Sequence, residues 1–130
     1  LSLNYNYADT YDGADCDDPD IGNNCIDESM VRVPRHAFTS VFKYKFNKYF
    51  SNKFSFRYLG EVRDYGNNNN NFKDVILDDY IKFDYLANFN IFDNYNLHFS
   101  VDNIFNQNYE QAFMYSTHKR TFNLGLKKIF

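Results

Sequence analysis

The side chains best suited to chemistry form an acidic cluster near the start of the chain. Residues 9–28 carry eight carboxylates, and the densest part of the cluster contains Asp15, Asp17, Asp18 and Asp20. Carboxylate oxygens are preferred ligands of Ca²⁺, so these four residues are candidate metal ligands. Their spacing differs from that of an EF-hand loop, which also has a glycine at its sixth position. A solvated acidic loop is therefore the alternative to a Ca²⁺ site.

Two cysteines, Cys16 and Cys25, lie in the same acidic segment. In an oxidising compartment they would form a disulfide that closes a small loop. A structural zinc site usually needs four Cys or His ligands, and two cysteines alone do not supply them. Two free thiols are the alternative to the disulfide.

A second group of candidate residues lies near the other end of the chain. Phe113, Met114, Tyr115 and His118 fall in one loop between two segments with strand patterns. Aromatic rings and a thioether offer contact surface to a large ligand with apolar parts. Phe113, Tyr115 and His118 are therefore candidate ligand-binding residues, and a loop that packs on its own hairpin is the alternative.

The sequence gives little support to catalysis. His36, His98 and His118 lie in separate segments, without the spacing of a nucleophile and its base. A Gly-rich phosphate-binding loop does not occur either. The net charge of -3 argues against nucleic acid as a partner, since a basic stripe would be expected there. We expect a protein that is not an enzyme and has no cofactor apart from the candidate Ca²⁺.

The elements that would position these residues are β-strands. Aromatic residues make up 21% of the chain, yet the mean hydropathy is -0.63, as expected where apolar and polar residues alternate. Charged residues that fall on the polar faces are expected to pair with one another: Arg57, Glu61, Arg63, Lys82 and Asp84. The alternation predicts six strands, at residues 1–10, 36–47, 53–64, 79–92, 97–106 and 119–130, the fifth ending in a bulge at 103–106.

The connections between the predicted strands alternate between long and short. Long loops are expected at residues 11–35, 65–78 and 106–118, the second containing a flexible run at 67–71, and short turns at 48–52 and 93–96. Transmembrane β-barrels have long loops on one side of the membrane and short turns on the other. Strands of ten or more residues also suit a tilted membrane strand. We therefore predict an all-β fold, an antiparallel transmembrane β-barrel segment.

Six strands are fewer than the roughly eight of the smallest single-chain barrels. The sequence also begins without Met, and it has no signal peptide and no apolar stretch long enough for a membrane helix. We therefore expect residues 1–130 to be the C-terminal part of a larger barrel domain. The terminal strand ends on Phe130, which would be its barrel-assembly signal, although Lys128 stands where an apolar residue is more usual.

Several motifs resemble those of TonB-dependent outer-membrane receptors. Residues 101–109, Val-Asp-Asn-Ile-Phe-Asn-Gln-Asn-Tyr, are similar to the family's V-x-N-L-F-D-x-x-Y sequence near its end. Further similarities are Val33-Pro34-Arg35-His36, Tyr58-Leu59-Gly60-Glu61-Val62-Arg63, Leu77-Asp78-Asp79-Tyr80, Tyr115, Lys119-Arg120 and Gly125-Leu126. Their order most resembles that of vitamin B12 (cobalamin) receptors, and siderophore receptors share much of it.

The resemblance implies an active-transport receptor of the bacterial outer membrane. Such a receptor imports a scarce metal chelate or vitamin, a siderophore or cobalamin, with energy delivered through TonB to a plug domain. The implied partners are the TonB complex, the barrel-assembly machinery, outer-membrane lipid and the ligand. The plug and the earlier strands are absent from these 130 residues.

Two other readings are open. One is a soluble β-sandwich that binds carbohydrate or Ca²⁺, and the other is the end of a passive porin-type barrel, which would lack the V-x-N-I-F motif. A sandwich would cover the apolar strand faces with a second sheet, whereas a barrel would leave them as a belt about 25 Å tall. The residues of that belt are Phe38, Phe42, Phe54, Phe56, Ile81, Phe83, Phe89, Leu97 and Phe99.

Overall fold

A computed structural model of the protein describes residues 1–10, 30–68, 71–92 and 94–128. All its regular elements are strands. They are β1 Ser2–Tyr7, β2 His36–Lys45, β3 Phe50–Leu59, β4 Val62–Asn68, β5 Asn71–Leu77, β6 Tyr80–Phe92, β7 Tyr95–Asp102, β8 Glu110–Ala112, β9 Tyr115–Ser116 and β10 Thr121–Lys128. The part of the chain that is described contains no helix long and apolar enough to cross a membrane.

Six of the strands form one antiparallel sheet in the order β1-β2-β3-β6-β7-β10. These are the six strands that the alternation predicts, so the antiparallel all-β fold is confirmed. Their ends differ by a few residues: β3 already begins at Phe50, and β7 begins at Tyr95, inside segments predicted as turns. The short turn before β3 is stabilised by Asn47, whose side-chain oxygen accepts hydrogen bonds from the backbone N–H groups of Tyr49 and Phe50.

The register keeps most of the large apolar side chains of the six strands on one face, which we call the apolar face; Val41, Leu59 and Leu86 are on the other. Phe42 lies opposite Phe54, Phe54 opposite Tyr85, and Tyr85 opposite Val101. Ring pairs join neighbouring strands, with centroids 4.6 Å apart for Phe50 and Phe89 and 4.8 Å apart for Phe56 and Phe83. Cross-strand aromatic pairs of this kind stabilise a sheet.

The apolar face is exposed. Phe42 retains 46% of its accessible surface and Leu124 retains 72%. The other strands form two separate hairpins, β4–β5 and β8–β9, so the described residues contain no second large sheet to cover this face. This arrangement is the one predicted for a barrel wall, and it differs from that of a sandwich.

The predicted strand over residues 53–64 is wrong at its end, because the chain leaves the sheet at Gly60. The Gly60 N–H donates to the His36 carbonyl over 2.8 Å, and a Cβ at Gly60 would lie 3.2 Å from the same oxygen. Beyond it, β4 pairs with β5 in a hairpin of its own. The long loop predicted at 65–78 is therefore also wrong, because backbone pairing forms a ladder there without an alternating apolar pattern.

The loop predicted at residues 106–118 contains the short β8–β9 hairpin. The bulge predicted at 103–106 is instead a turn, in which Asn103 and Asn106 both have φ of 54°. Asparagine is among the residues that adopt this left-handed region most readily. Phe130 lies outside the described residues, so its role as an assembly signal stays a prediction.

The turn depends on the side chain of Asn103, which is only 2% exposed. We expect Asn103→Ala in the full-length protein to lower the free energy of unfolding by about 2–4 kcal/mol, because buried hydrogen bonds are lost and alanine disfavours positive φ. Urea unfolding of the refolded protein in detergent measures this change. Asn108→Ala, at an exposed position of the same loop, is the matched control. Equal stability of the two variants would contradict the importance of this turn.

Candidate ligand cavity beneath the β8–β9 hairpin

A cavity of about 640 Å³ lies at the end of the sheet that carries the long connections. One wall is the polar face of the sheet, opposite to the apolar face, and contributes Lys82, Asp102 and Asn123. The other wall is the β8–β9 hairpin with its flanking residues. The cavity is large enough for a small-molecule ligand, because ligand pockets measure about 300–1,000 Å³.

The start of the hairpin is fixed by Tyr80, which is buried at the beginning of β6. The ring of Tyr109 stacks on Tyr80 with centroids 4.2 Å apart. The Gln111 amide donates to the Tyr80 hydroxyl over 3.3 Å, and the Thr117 hydroxyl donates to the Tyr109 carbonyl over 2.8 Å. The base of the hairpin is thus attached to the sheet by both stacking and hydrogen bonds.

Asn103 fixes the base from the other side. Its backbone N–H donates to Asp84 over 2.9 Å, and its side-chain oxygen accepts from the Gln107 N–H over 3.0 Å. Its side-chain NH₂ donates to the carbonyls of Gln107 and His118, over 2.8 and 3.4 Å. The side-chain oxygen of Asn106 accepts from the Arg120 N–H over 3.0 Å. The motif at residues 101–109 therefore joins both ends of the hairpin to the sheet.

The tip of the hairpin is held by Asp64 of β4. The Phe113 N–H donates to Asp64 Oδ2 over 2.7 Å. The other carboxylate oxygen accepts from Arg32 Nε and from the Tyr65 N–H, each over 2.9 Å. Asp64 is 1% exposed, so this carboxylate is a buried charge that is fully hydrogen-bonded.

The lining of the cavity carries charge of both signs. Lys82 and Lys119 contribute ammonium groups, and Asp102 contributes the carboxylate. Lys82 Nζ lies 3.1 Å from Asp84 Oδ2, and the Asn123 amide donates to Asp102 over 3.1 Å. The predicted pairing of Lys82 with Asp84 is thus present. With the rings of Tyr109 and Tyr115 also in the lining, the cavity suits a ligand that combines aromatic surface with anionic groups.

The three predicted ligand-binding residues fall in two places. Tyr115 and His118 line the cavity, whereas Phe113 faces β5 and lines a neighbouring cavity of about 470 Å³. Met114, between the two, is 77% exposed and has φ of 64°. Their participation in binding stays a prediction.

The predicted Ca²⁺ ligands Asp15, Asp17, Asp18 and Asp20 and the predicted disulfide of Cys16 and Cys25 lie outside the described residues. They stay predictions. Within the ranges that the structure describes, no group of three or more His, Cys, Asp or Glu side chains could hold a metal ion.

Sequence reasoning did not identify Asp64, Asn103 or Tyr80 as residues that shape the site. Asp64 lies 49 residues from Phe113 and 32 from Arg32, so no local pattern connects them. Asn103 lies inside the recognised motif at residues 101–109, and that motif was the sequence signal that could have identified it. Asn103 matters because its buried side chain has several hydrogen-bond partners, and this is visible only in the structure.

No protein-family model matches this sequence, and no curated protein matches it significantly.

Solved structures do resemble it. The siderophore receptor PirA from Acinetobacter baumannii aligns with 98% of the chain, at 18% identity and a TM-score of 0.71. The ferric-catecholate import receptor Fiu from E. coli K12 aligns with 78%, at 22% identity and a TM-score of 0.69. The ferripyoverdine receptor of the Pseudomonas aeruginosa outer membrane, solved with ferripyoverdine bound, aligns with 73%, at 18% identity and a TM-score of 0.63.

The chain is all-β and antiparallel, and its fold resembles part of the barrel of these receptors. Identities this low show the fold alone. The chain spans 19%, 15% and 14% of the lengths of these three receptors, so what a whole receptor does is a matter for proposal.

The environment of Asp64 also sets its protonation. The Phe113 N–H bond above all, then the Tyr65 N–H and the Arg32 guanidinium, hold the pKa of this carboxyl below its ordinary value, although burial acts in the opposite direction. Since the pKa of the folded form is lowered, the ionised carboxylate stabilises the folded arrangement above the ordinary Asp range. That stabilisation is lost as the pH falls through the lowered pKa.

We therefore expect the ¹³C signal of the Asp64 carboxyl to titrate with a midpoint below the roughly 3.9 of a model peptide. NMR of the full-length protein labelled at aspartate carboxyls, assigned with Asp64→Asn, measures it. In Arg32→Gln the midpoint should rise, because a favourable charge is removed. A midpoint at or above that of the model peptide would contradict the hydrogen bonds assigned to the Asp64 carboxylate.

Proposed function

We propose that this chain is part of the barrel wall and extracellular loops of an outer-membrane receptor that imports an iron chelate. The observation that carries the proposal is the cavity beneath the β8–β9 hairpin, at the end of the sheet with the long connections. Its supports are the size and charge of that cavity and the fold, which resembles receptors named for siderophores or ferric catecholates.

In this proposal the apolar face meets lipid, which accounts for the exposure of its aromatic rings. The polar face lines the inside of the barrel, where Lys82, Asp84 and Asp102 are in contact with water or ligand. A charged residue on the lipid side is costly, whereas charges on the inner side are tolerated. The division of charge between the two faces of this sheet agrees with that rule except at Lys128, at the end of β10, which is on the apolar face opposite Tyr95. A lysine near the end of a membrane strand can extend its ammonium group to the headgroups.

The chain's own residues would act in capture. The hairpin forms one wall of the cavity, Tyr109 and Tyr115 offer ring faces and edges, and Lys82 and Lys119 attract an anionic chelate. The plug domain, TonB coupling and barrel-assembly partners rest on the resemblance of the motifs. They would involve sequence beyond these 130 residues. The activity is transport, not catalysis.

The sequence motifs and the structural neighbours indicate different ligands. Cobalamin was indicated by the order of motifs in the sequence. A siderophore is favoured by the names of the structural neighbours. We therefore propose a ferric siderophore as the ligand and treat cobalamin as the competing outcome of the test.

Binding to the full-length receptor in detergent tests this proposal. A ferric catecholate, ferripyoverdine and cobalamin are titrated separately, and we expect at least one ferric chelate to bind and cobalamin not to bind. Tyr115→Ala should weaken that binding about fivefold or more, since an aromatic contact is lost. Met114→Ala is the matched control, because Met114 is adjacent and exposed but does not line the cavity.

Binding of cobalamin alone would replace the siderophore proposal with the cobalamin one. Failure of all three probes to bind would remove the proposed capture function. If a ferric chelate bound equally well to Tyr115→Ala and to the parent protein, the chelate site would lie elsewhere.

A further inference from the structure

The β8–β9 hairpin is too small to hold its own position. β8 has three residues, β9 has two, and the register shifts between their two paired positions. Even a regular two-stranded hairpin is marginally stable in water. The position of its residues therefore depends on what the hairpin is attached to.

The attachments at the base and at the tip differ. The base is held by the Tyr80–Tyr109 stack and by the Asn103 hydrogen bonds to the chain on either side. Among the described residues, the polar attachment of the tip is the bond from the Phe113 N–H to Asp64. Tyr115 follows two residues later, across the exposed turn residue Met114.

The same carboxylate also holds the segment that leads into β2. Arg32 has φ of 62°, donates from its backbone N–H to the Arg63 carbonyl over 2.8 Å, and donates from Nε to Asp64 over 2.9 Å. Asp64 thus joins three segments: the one around Arg32, β4 itself and the hairpin tip. A buried carboxylate with donors from three segments holds them together, because an unpaired donor or charge left at this site would be costly.

We propose that Asp64 is a positioning residue for the ligand cavity. Its carboxylate holds the hairpin tip against β4, and this contact sets where Tyr115 stands in the cavity wall. The role in binding rests on the proposed function, whereas the role in holding the hairpin does not.

Asp64→Asn in the full-length receptor tests both parts. The substitution replaces one acceptor oxygen by an NH₂ group and removes the charge, with little change in volume. Hydrogen exchange measured by mass spectrometry should increase about tenfold or more in residues 110–118, while peptides of β6 and β7 stay unchanged. Asp64→Glu, which keeps the carboxylate, should restore part of the protection.

Asp9→Asn is the matched control. Asp9 pairs with Arg35 near the same segment, with N and O 3.2 Å apart, but both side chains are more than half exposed. Exposed pairs contribute little, so hairpin exchange should not change in this variant.

The ligand arm uses a ferric catecholate as probe. Asp64→Asn should weaken its binding about tenfold with the number of sites unchanged, and Asp9→Asn should bind like the parent. If the parent does not bind the catecholate, ferripyoverdine replaces it as probe; if the parent binds neither, the proposed function fails, and hydrogen exchange alone still decides whether Asp64 holds the hairpin.

Two hydrogen-exchange results would overturn the inference that Asp64 holds the hairpin. One is unchanged exchange in residues 110–118 of Asp64→Asn, which would mean that other contacts hold the tip. The other is an equal increase throughout β6 and β7, which would make Asp64 a residue of general stability. If the hairpin became mobile while probe affinity stayed the same, the positioning role in binding would be wrong.

Discussion

The structure depends on a register that stays in phase across six strands, apart from one irregularity between Asn90 and Phe92 at the end of β6. Side chains alternate between the two faces of a strand, so a shift by one residue in any pairing would move its apolar residues to the other face. No such shift separates Phe42, Phe54, Tyr85 and Val101, which follow one another across four strands. One face therefore consists mainly of rings and aliphatic chains, and the other carries most of the charged residues; Asn52 and Lys128 on the apolar face are exceptions.

The loops at one end of this sheet are held in place in a different way from the strands. They are organised by buried polar side chains whose hydrogen-bonding groups are paired. Asn103 joins the end of β7 to both sides of the β8–β9 hairpin, and Asp64 joins the hairpin tip to β4 and to Arg32. Polar clusters of this kind specify one arrangement, because a partly satisfied cluster is costly. The cavity takes its shape from these two residues together with the Tyr80–Tyr109 stack.

The six strands could be predicted from the sequence because alternation is a local signal. The end of β3 could not, since Gly60 matters through the carbonyl of His36 on another strand. The β4–β5 hairpin was missed because an asparagine-rich stretch has no apolar pattern, although its backbone pairs. Tyr115 and His118 were predicted as ligand-binding residues from their residue types and their loop; the structure places them in the cavity wall, and their role in binding stays a prediction. Asp64 was missed because both of its distant partners are more than 30 residues away.

The central claim is that the apolar face meets lipid and the polar face does not. These 130 residues contain no tryptophan, so a single one can be introduced as a reporter. Phe54→Trp and Ser55→Trp place it at adjacent positions of β3, on the apolar and the polar face respectively. In the full-length receptor reconstituted with brominated lipid, and after subtraction of the parent signal, we expect strong quenching for Phe54→Trp and little for Ser55→Trp. Equal quenching of the two, or stronger quenching at position 55, would contradict the account.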